Sequence, residues 1–122
     1  GLMVCYDLRF PELALTLRAQ GANILTAPSA FTYTTGQMHW QLLLQARGMD
    51  SQCQVLGAAQ QGWHGEKRQT WGHSGAANSR GQLLSMVQDE GTQLITVPFD
   101  LDEQSKIRES MPLMQHRRLL QF

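Results

Sequence analysis

Near the start of the chain two short apolar runs flank one stretch of helical length, and that arrangement points to an α/β architecture. Leu2 to Cys5 reads as a short buried strand, Pro11 to Gln20 as a helix, and Ala22 to Ala27 as a second buried strand closed by Pro28 and Ser29. Pro11 suits a first helical turn, Glu12 the positive end of the helix, and Gly21 its stop. Leu13, Leu17 and Gln20 fall on one side with Leu15 nearby, which predicts a broad apolar stripe. Two strands bracketing a helix form a βαβ unit, parallel and right-handed by the general rule.

The alternation continues. Ser29 to Gln37 reads as a loop, and Met38 to Gln52 as a second helix with Trp40, Leu43, Leu44 and Arg47 at helical spacing. Gly48 weakens that helix by about 1 kcal/mol relative to Ala. Cys53 to Gln60 reads as a third strand and Gln61 to Trp71 as a polar loop. His73 to Ala77 and Leu83 to Val87 read as strands joined at Asn78-Ser79-Arg80-Gly81, a good hairpin turn. Gln93 to Phe99 is expected to be the last strand, Leu101 to Ser110 a polar helix, and Met111 to Phe122 a tail.

Composition excludes several classes. The 122 residues carry ten basic and ten acidic side chains, so there is no basic excess of the kind that nucleic-acid or anionic-membrane binders show. An apolar content of 42% argues against disorder, and no apolar run is long enough for a transmembrane helix. Two Cys do not make a disulfide scaffold and read as reduced thiols, which predicts a cytoplasmic protein. The four His have no metal-ligand spacing, so neither a metal nor another cofactor is expected. The length fits one domain. A strand-like run beginning at Gly1 without Met or lead-in predicts that an upstream part is missing, so residues 1–122 are read as a single partial domain.

Cys5 is the leading candidate for chemistry. It ends a strand and precedes the polar turn Tyr6-Asp7-Leu8-Arg9. A nucleophile at such a turn sits on a rigid support and can use the next backbone N–H, that of Tyr6, as an oxyanion donor. The alternative from position alone is a buried structural Cys, among the most buried of residue types.

The string Cys5-Tyr6-Asp7-Leu8-Arg9-Phe10-Pro11-Glu12-Leu13 resembles the nucleophile motif of the nitrilase, or carbon–nitrogen hydrolase, superfamily. The resemblance continues in register through Pro28-Ser29-Ala30-Phe31, Thr35-Gly36, His39-Trp40, Ala46-Arg47, Ala58-Ala59-Gln60, Glu66-Lys67-Arg68 and Gly72-His73-Ser74. Gln115-His116-Arg117-Arg118 is similar to the tail of the deaminated-glutathione-amidase branch. The resemblance implies the C-terminal portion of a four-layer αββα sandwich that hydrolyses non-peptide C–N bonds. It implies Cys5 as nucleophile, forming a thioester, and an oxyanion hole that includes the Tyr6 N–H. The substrate implied is a small carboxylate-bearing amide, deaminated-glutathione-like or an ω-amido acid, and the intact protein is expected to be a homo-oligomer. Ser29 and Phe31 are candidates to line the substrate pocket. In the family the Glu base and the Lys precede the Cys motif. Only four residues precede Cys5 here, so this chain alone is expected to be inactive.

Smaller departures carry further expectations. Asp50 is one methylene shorter than the family's usual Glu, which shortens the reach of any salt bridge there. Gly75-Ala76-Ala77 is lighter than the usual branched strand, which predicts loose packing. Arg9 and Glu12 are read as an ion pair or scaffold pair near the nucleophile, His39 and Trp40 as helix-to-sheet packing, Trp63 and His64 as exposed loop residues, and Cys53 as a buried structural thiol. Besides the amidase, two readings stay open: a catalytically incomplete remnant, and an interaction module of the same fold.

Overall fold

The computed structural model describes residues 1–88 and 91–118. A 3-10 turn over Cys5–Arg9 leads into α1 (Pro11–Ala19), β1 (Ile24–Thr26), α2 (Tyr33–Ser51), β2 (Gln54–Gly57), β3 (Gln61–His64) and β4 (Arg68–Trp71). β5 (Gly75–Ala77), β6 (Leu83–Met86), α3 (Leu101–Ser110) and a short α4 (Leu113–His116) follow. The main sheet has the order β1-β2-β5-β6, with β1 and β2 parallel and the other pairs antiparallel. The segment before the 3-10 turn runs parallel to β1: Leu2 bridges Thr26, the Met3 N–H donates to the Thr26 carbonyl at 2.9 Å, and the Thr26 N–H donates to the Gly1 carbonyl. The parallel βαβ unit is therefore present. Its first segment is buried on one side only, with Met3 1% exposed and Leu2 80%, because successive strand residues face opposite ways.

α1 and α2 pack against each other, and one core joins Ala14 of α1, Trp40 and Leu44 of α2, Leu25 and Val55 of the sheet, and Ala77 of β5. On α1 the fully buried residue is Ala14, flanked by the partly buried Leu13 and Leu17. Gln20, placed on the apolar stripe by spacing, caps the helix and is exposed.

α2 begins five residues before the expected Met38. Thr34, Thr35 and Gly36 are weak helix formers, so their helical state comes from packing. Gly36 is buried against the Trp71 side chain, and the Thr32 and Thr35 hydroxyls bond each other at 3.1 Å. Gly48 also reverses its expected sign. A Cβ there would lie 2.5 Å from the Asn78 carbonyl oxygen, so Gly allows the helix to approach the turn after β5.

Other expectations need correction. Gln61 to Trp71 is a β-hairpin, with Gln61 paired to Trp71 and His64 to Arg68. The period-2 signal there is masked by polar residues, which the exposed Trp63-to-Arg68 end of the ribbon accommodates, while Thr70 and Trp71 pack inward. Gln93 to Phe99 forms no strand and takes no place in either sheet; Leu94 is 92% exposed. Gly75-Ala76-Ala77 is not loose: all three residues are buried, and a Cβ on Gly75 would meet Met86 at 3.1 Å. The hairpin turn at 78–81 forms as expected, with the Asn78 side-chain oxygen accepting from the Arg80 and Gln82 N–H groups.

The polar α3 has the predicted bounds. The Asp100 carboxylate caps it by accepting from the Glu103 N–H at 2.8 Å. It docks through hydrogen bonds: Gln104 donates to the Asn23 carbonyl and Ser79 Oγ, and Arg108 to Asn23 Oδ1 and the Gln52 and Ala22 carbonyls. Burial, and then the neighbouring Arg18 charge, lower the Arg108 pKa from its ordinary value. Cys53 is fully buried with its thiol on the Ala22 carbonyl, the structural role expected of it. The end of the tail, residues 119–122, lies outside the described residues.

Candidate active site

Cys5 sits where the leading segment ends and the 3-10 turn begins. Its φ is +48°, in the left-handed region that side chains other than those of Gly, Asn and Asp rarely adopt. Such strain persists only where surrounding bonds over-determine the backbone, and it clusters at functional sites. The bonds here are specific. The Cys5 N–H donates to the Pro28 carbonyl at 2.9 Å, and the Val4 N–H donates to Asp7 Oδ2 at 2.9 Å. The Asp7 carboxylate therefore returns to the start of its own turn, as an N3 acidic residue does in a capping box. The Val4-to-Asp7 spacing is a local signal of this turn in the sequence. Cys5 is half-buried and free of any disulfide. The Tyr6 N–H lies in the first turn, where a helix supplies no acceptor, and the Tyr6 ring is 65% exposed.

The leading segment, β1 and β2 run parallel, so the residues that follow each of them collect at one sheet edge. In open α/β sheets that edge is where ligands bind. Cys5 follows the first segment, Pro28 and Ser29 follow β1, and Ala58 to Gln60 follow β2. Ser29 bridges Ala59, donating its N–H to the Ala58 carbonyl and accepting from the Gln60 N–H.

Ser29 and Phe31 are both buried, each 7% exposed. The Ser29 hydroxyl donates to the Ala27 carbonyl at 3.0 Å. The Phe31 ring packs edge-on against Trp40 with centroids 5.2 Å apart. Arg9 does not pair with Glu12. Phe10 between the two helices is extended, so helical i,i+3 spacing does not apply. The Arg9 guanidinium instead lies over the Tyr6 and Phe31 rings, 5.2 and 5.3 Å from their centroids, with Nη1 3.3 Å from His39 Nδ1. His39 thus faces the turn, while Trp40 does the expected packing and donates Nε1–H to the His73 carbonyl at 2.7 Å. Cation–π stacking of Arg9 carries no spacing signal, so the sequence could not show it.

The hairpin β3–β4 adjoins the same edge, since the Trp71 N–H donates to the Phe31 carbonyl and Thr32 bridges Thr70. Beside it lies a cavity of about 800 Å³ whose walls include Tyr33, Gln60, Trp63, Trp71, His73 and Ser74. Cys5 is not part of its lining. His73 has φ +61° and stacks on Trp71 with centroids 4.0 Å apart. His64 bonds Thr70 Oγ1 at 2.8 Å, and Trp63 is exposed. Among the described residues, no group of three or more His, Cys, Asp or Glu could hold a metal ion, and no helix is long and apolar enough to cross a membrane.

The sequence matches the Carbon-nitrogen hydrolase family over residues 1–109. The chain belongs to that family. It is 45% identical over 120 residues to deaminated glutathione amidase of Yersinia enterocolitica, a match covering 98% of this chain and 42% of that protein. Its fold superposes on the crystal structure of Saccharomyces cerevisiae Nit3, a member of branch 10 of the nitrilase superfamily, with TM-score 0.88 and 34% identity. That match covers 98% of this chain and 44% of the Nit3 chain. An amidase from Nesterenkonia, solved as the E41Q mutant with the acetamide moiety of fluoroacetamide covalently added at the active site cysteine, matches 70% of this chain and 32% of its own at TM-score 0.64 and 29% identity. The chain therefore spans less than half the length of each of these relatives. The α/β fold expected from the resemblance is the nitrilase-superfamily fold in these matched portions.

Proposed function

We propose that the intact carbon–nitrogen hydrolase cleaves the amide of a small carboxylate-bearing acid, deaminated-glutathione-like or ω-amido, through a thioester on Cys5. The observation that carries this reading is the strained Cys5 backbone at the end of the sheet where the segments following the parallel strands collect, tied there by the Pro28 carbonyl. Family membership, the amidase relative from Yersinia enterocolitica and the cysteine adduct in the Nesterenkonia amidase support it.

In this reading Cys5 Sγ attacks the amide carbon while its proton leaves by way of a base. The tetrahedral oxyanion is held by the Tyr6 N–H. Collapse of the intermediate expels the nitrogen, with a proton, as ammonia and leaves an acyl thioester. Water then adds to the thioester, releasing the carboxylic acid and returning the thiol. Ser29 and Phe31, candidates to line the substrate pocket, are not among the residues lining the cavity of about 800 Å³, and in this reading they support the loop after β1 whose Pro28 carbonyl holds Cys5.

The chain is read as a C-terminal portion of one nitrilase-like domain, with the Glu base and Lys contributed by sequence outside it. Its 42% and 44% coverage of the matched relatives supports this. The chain alone is then inactive. The intact protein is a cytoplasmic homo-oligomer that takes a small molecule and needs no cofactor. The remnant or interaction-module reading draws on one observation: Leu2 and Val4 are 80% and 61% exposed on the sheet face opposite the buried Met3. Ammonia release from ω-amido acids by the intact protein separates the readings. Loss of at least 10³-fold in Cys5→Ala is expected, and wild-type release in that variant would reject the nucleophile assignment.

A further inference from the structure

We propose that Arg47 is a positioning residue for the Cys5 nucleophile, its guanidinium locking the far end of the 3-10 turn that Cys5 begins. The proposal rests on the Cys5 reading above. Arg47 lies in α2, 39 residues from the turn, and its side chain is only 7% exposed. A buried guanidinium is tolerated only where its donors are met. Nε–H donates to the Leu8 carbonyl at 2.7 Å, and Nη1 reaches Asp50 Oδ2 at 2.5 Å. The one-methylene deficit of Asp50 therefore does not prevent the ion pair; at i,i+3 on the helix the shorter side chain suffices.

The Leu8 carbonyl has a particular need for this donor. In a 3-10 turn the acceptor at i bonds the N–H at i+3. For Leu8 that residue is Pro11, which has no N–H. Phe10, extended at φ −102° and ψ 95°, also carries the chain away from the turn. Leu8 is fully buried, so water cannot substitute. Arg47 supplies the missing donor. The turn is then fastened at both ends, by Pro28 and Asp7 at its start and by Arg47 at its finish.

This matters because Cys5 is held at φ +48°, away from its relaxed conformation. Releasing the Leu8 end lets the turn relax and moves Cys5 from its held position. Reacting groups displaced by about 1 Å cost on the order of 10²-fold in rate. A lysine at 47 keeps a charge but not two donors in fixed directions.

The test compares wild type, Arg47→Lys and Asp50→Asn in the intact protein. It reads the thermal midpoint, kcat and KM on an ω-amido acid, and the pH profile of Cys5 alkylation by iodoacetamide, located by peptide mass. Arg47→Lys is expected to lower kcat about 10–100-fold with KM changed less than about twofold. Cys5 alkylation is expected to slow across the pH profile, because the released turn no longer holds the thiol in one orientation. Asp50→Asn, which keeps the buried arginine, gives the same signature at smaller size even if Arg47→Lys does not fold. Wild-type kcat and an unmoved alkylation profile in either folded variant overturn the assignment, as does a kcat loss that tracks only the folded fraction. Full turnover in Cys5→Ala would instead reject the nucleophile assignment on which the proposal rests, and the alkylation profile would still show whether Arg47 orders the turn.

Discussion

A cysteine at φ +48° stores strain that glycine would not feel, and this gives Cys5 a signature independent of activity. A left-handed backbone costs a residue with a Cβ about 1–2 kcal/mol. Cys5→Gly and Cys5→Ala both lose the sulfur's packing against the core, so their difference isolates the backbone cost. Urea denaturation should find the Gly variant more stable than the Ala variant by about 1 kcal/mol; equal stabilities would mean that the turn is not strained at Cys5. The motif itself was legible in the sequence, since strand, Cys and polar turn are contiguous. Its fastening was not. Pro28, His39 and Arg47 reach the turn from other elements, and no local pattern reports a carbonyl or guanidinium that arrives across 20 to 40 residues of chain.

At the scale of elements, glycine again separates propensity from packing. Helix propensity alone predicts that Gly48→Ala stabilises α2 by about 1 kcal/mol. The Asn78 carbonyl, 2.5 Å from where the new methyl would sit, predicts the opposite. The expected result is a loss of about 1–3 kcal/mol by chemical denaturation, and a gain would show that the contact relaxes freely. Asp100→Ala should cost about 1 kcal/mol by removing the cap on the Glu103 N–H; an unchanged midpoint would mean that α3 is held by Gln104 and Arg108 alone. α1 and the turn at 78–81 were readable because Pro11, Gly21 and Asn78 are local signals, and α3 from its run of polar helix formers between Leu101 and Ser110. The start of α2 and the hairpin β3–β4 were not. Gly36 packs against the Trp71 side chain, a contact across 35 residues of chain, and Gln61 to Trp71 is too polar for an alternating pattern.

Taken as a whole molecule, the chain covers one sheet face with α1 and α2 and leaves Leu2 and Val4 exposed on the other side. Apolar exposure of that kind forfeits burial worth roughly 25 cal/mol per Å². Residues 1–122 produced alone should therefore unfold at low urea, without a cooperative transition of several kcal/mol. A sharp two-state transition with that stability would show that the chain supplies its own complete core. The α/β class followed from the order of elements. Which face stays open did not, because exposure of a sheet depends on layers that a strand's own residues do not specify.

The central claim is that Cys5 carries the acyl group. Acid quenching of the intact protein during turnover of an ω-amido acid, followed by peptide mass mapping, measures this directly. The account predicts the acyl mass as a thioester on the peptide bearing Cys5, and neither adduct nor ammonia release from Cys5→Ala. An acyl group on another residue, or turnover surviving in Cys5→Ala, would contradict it.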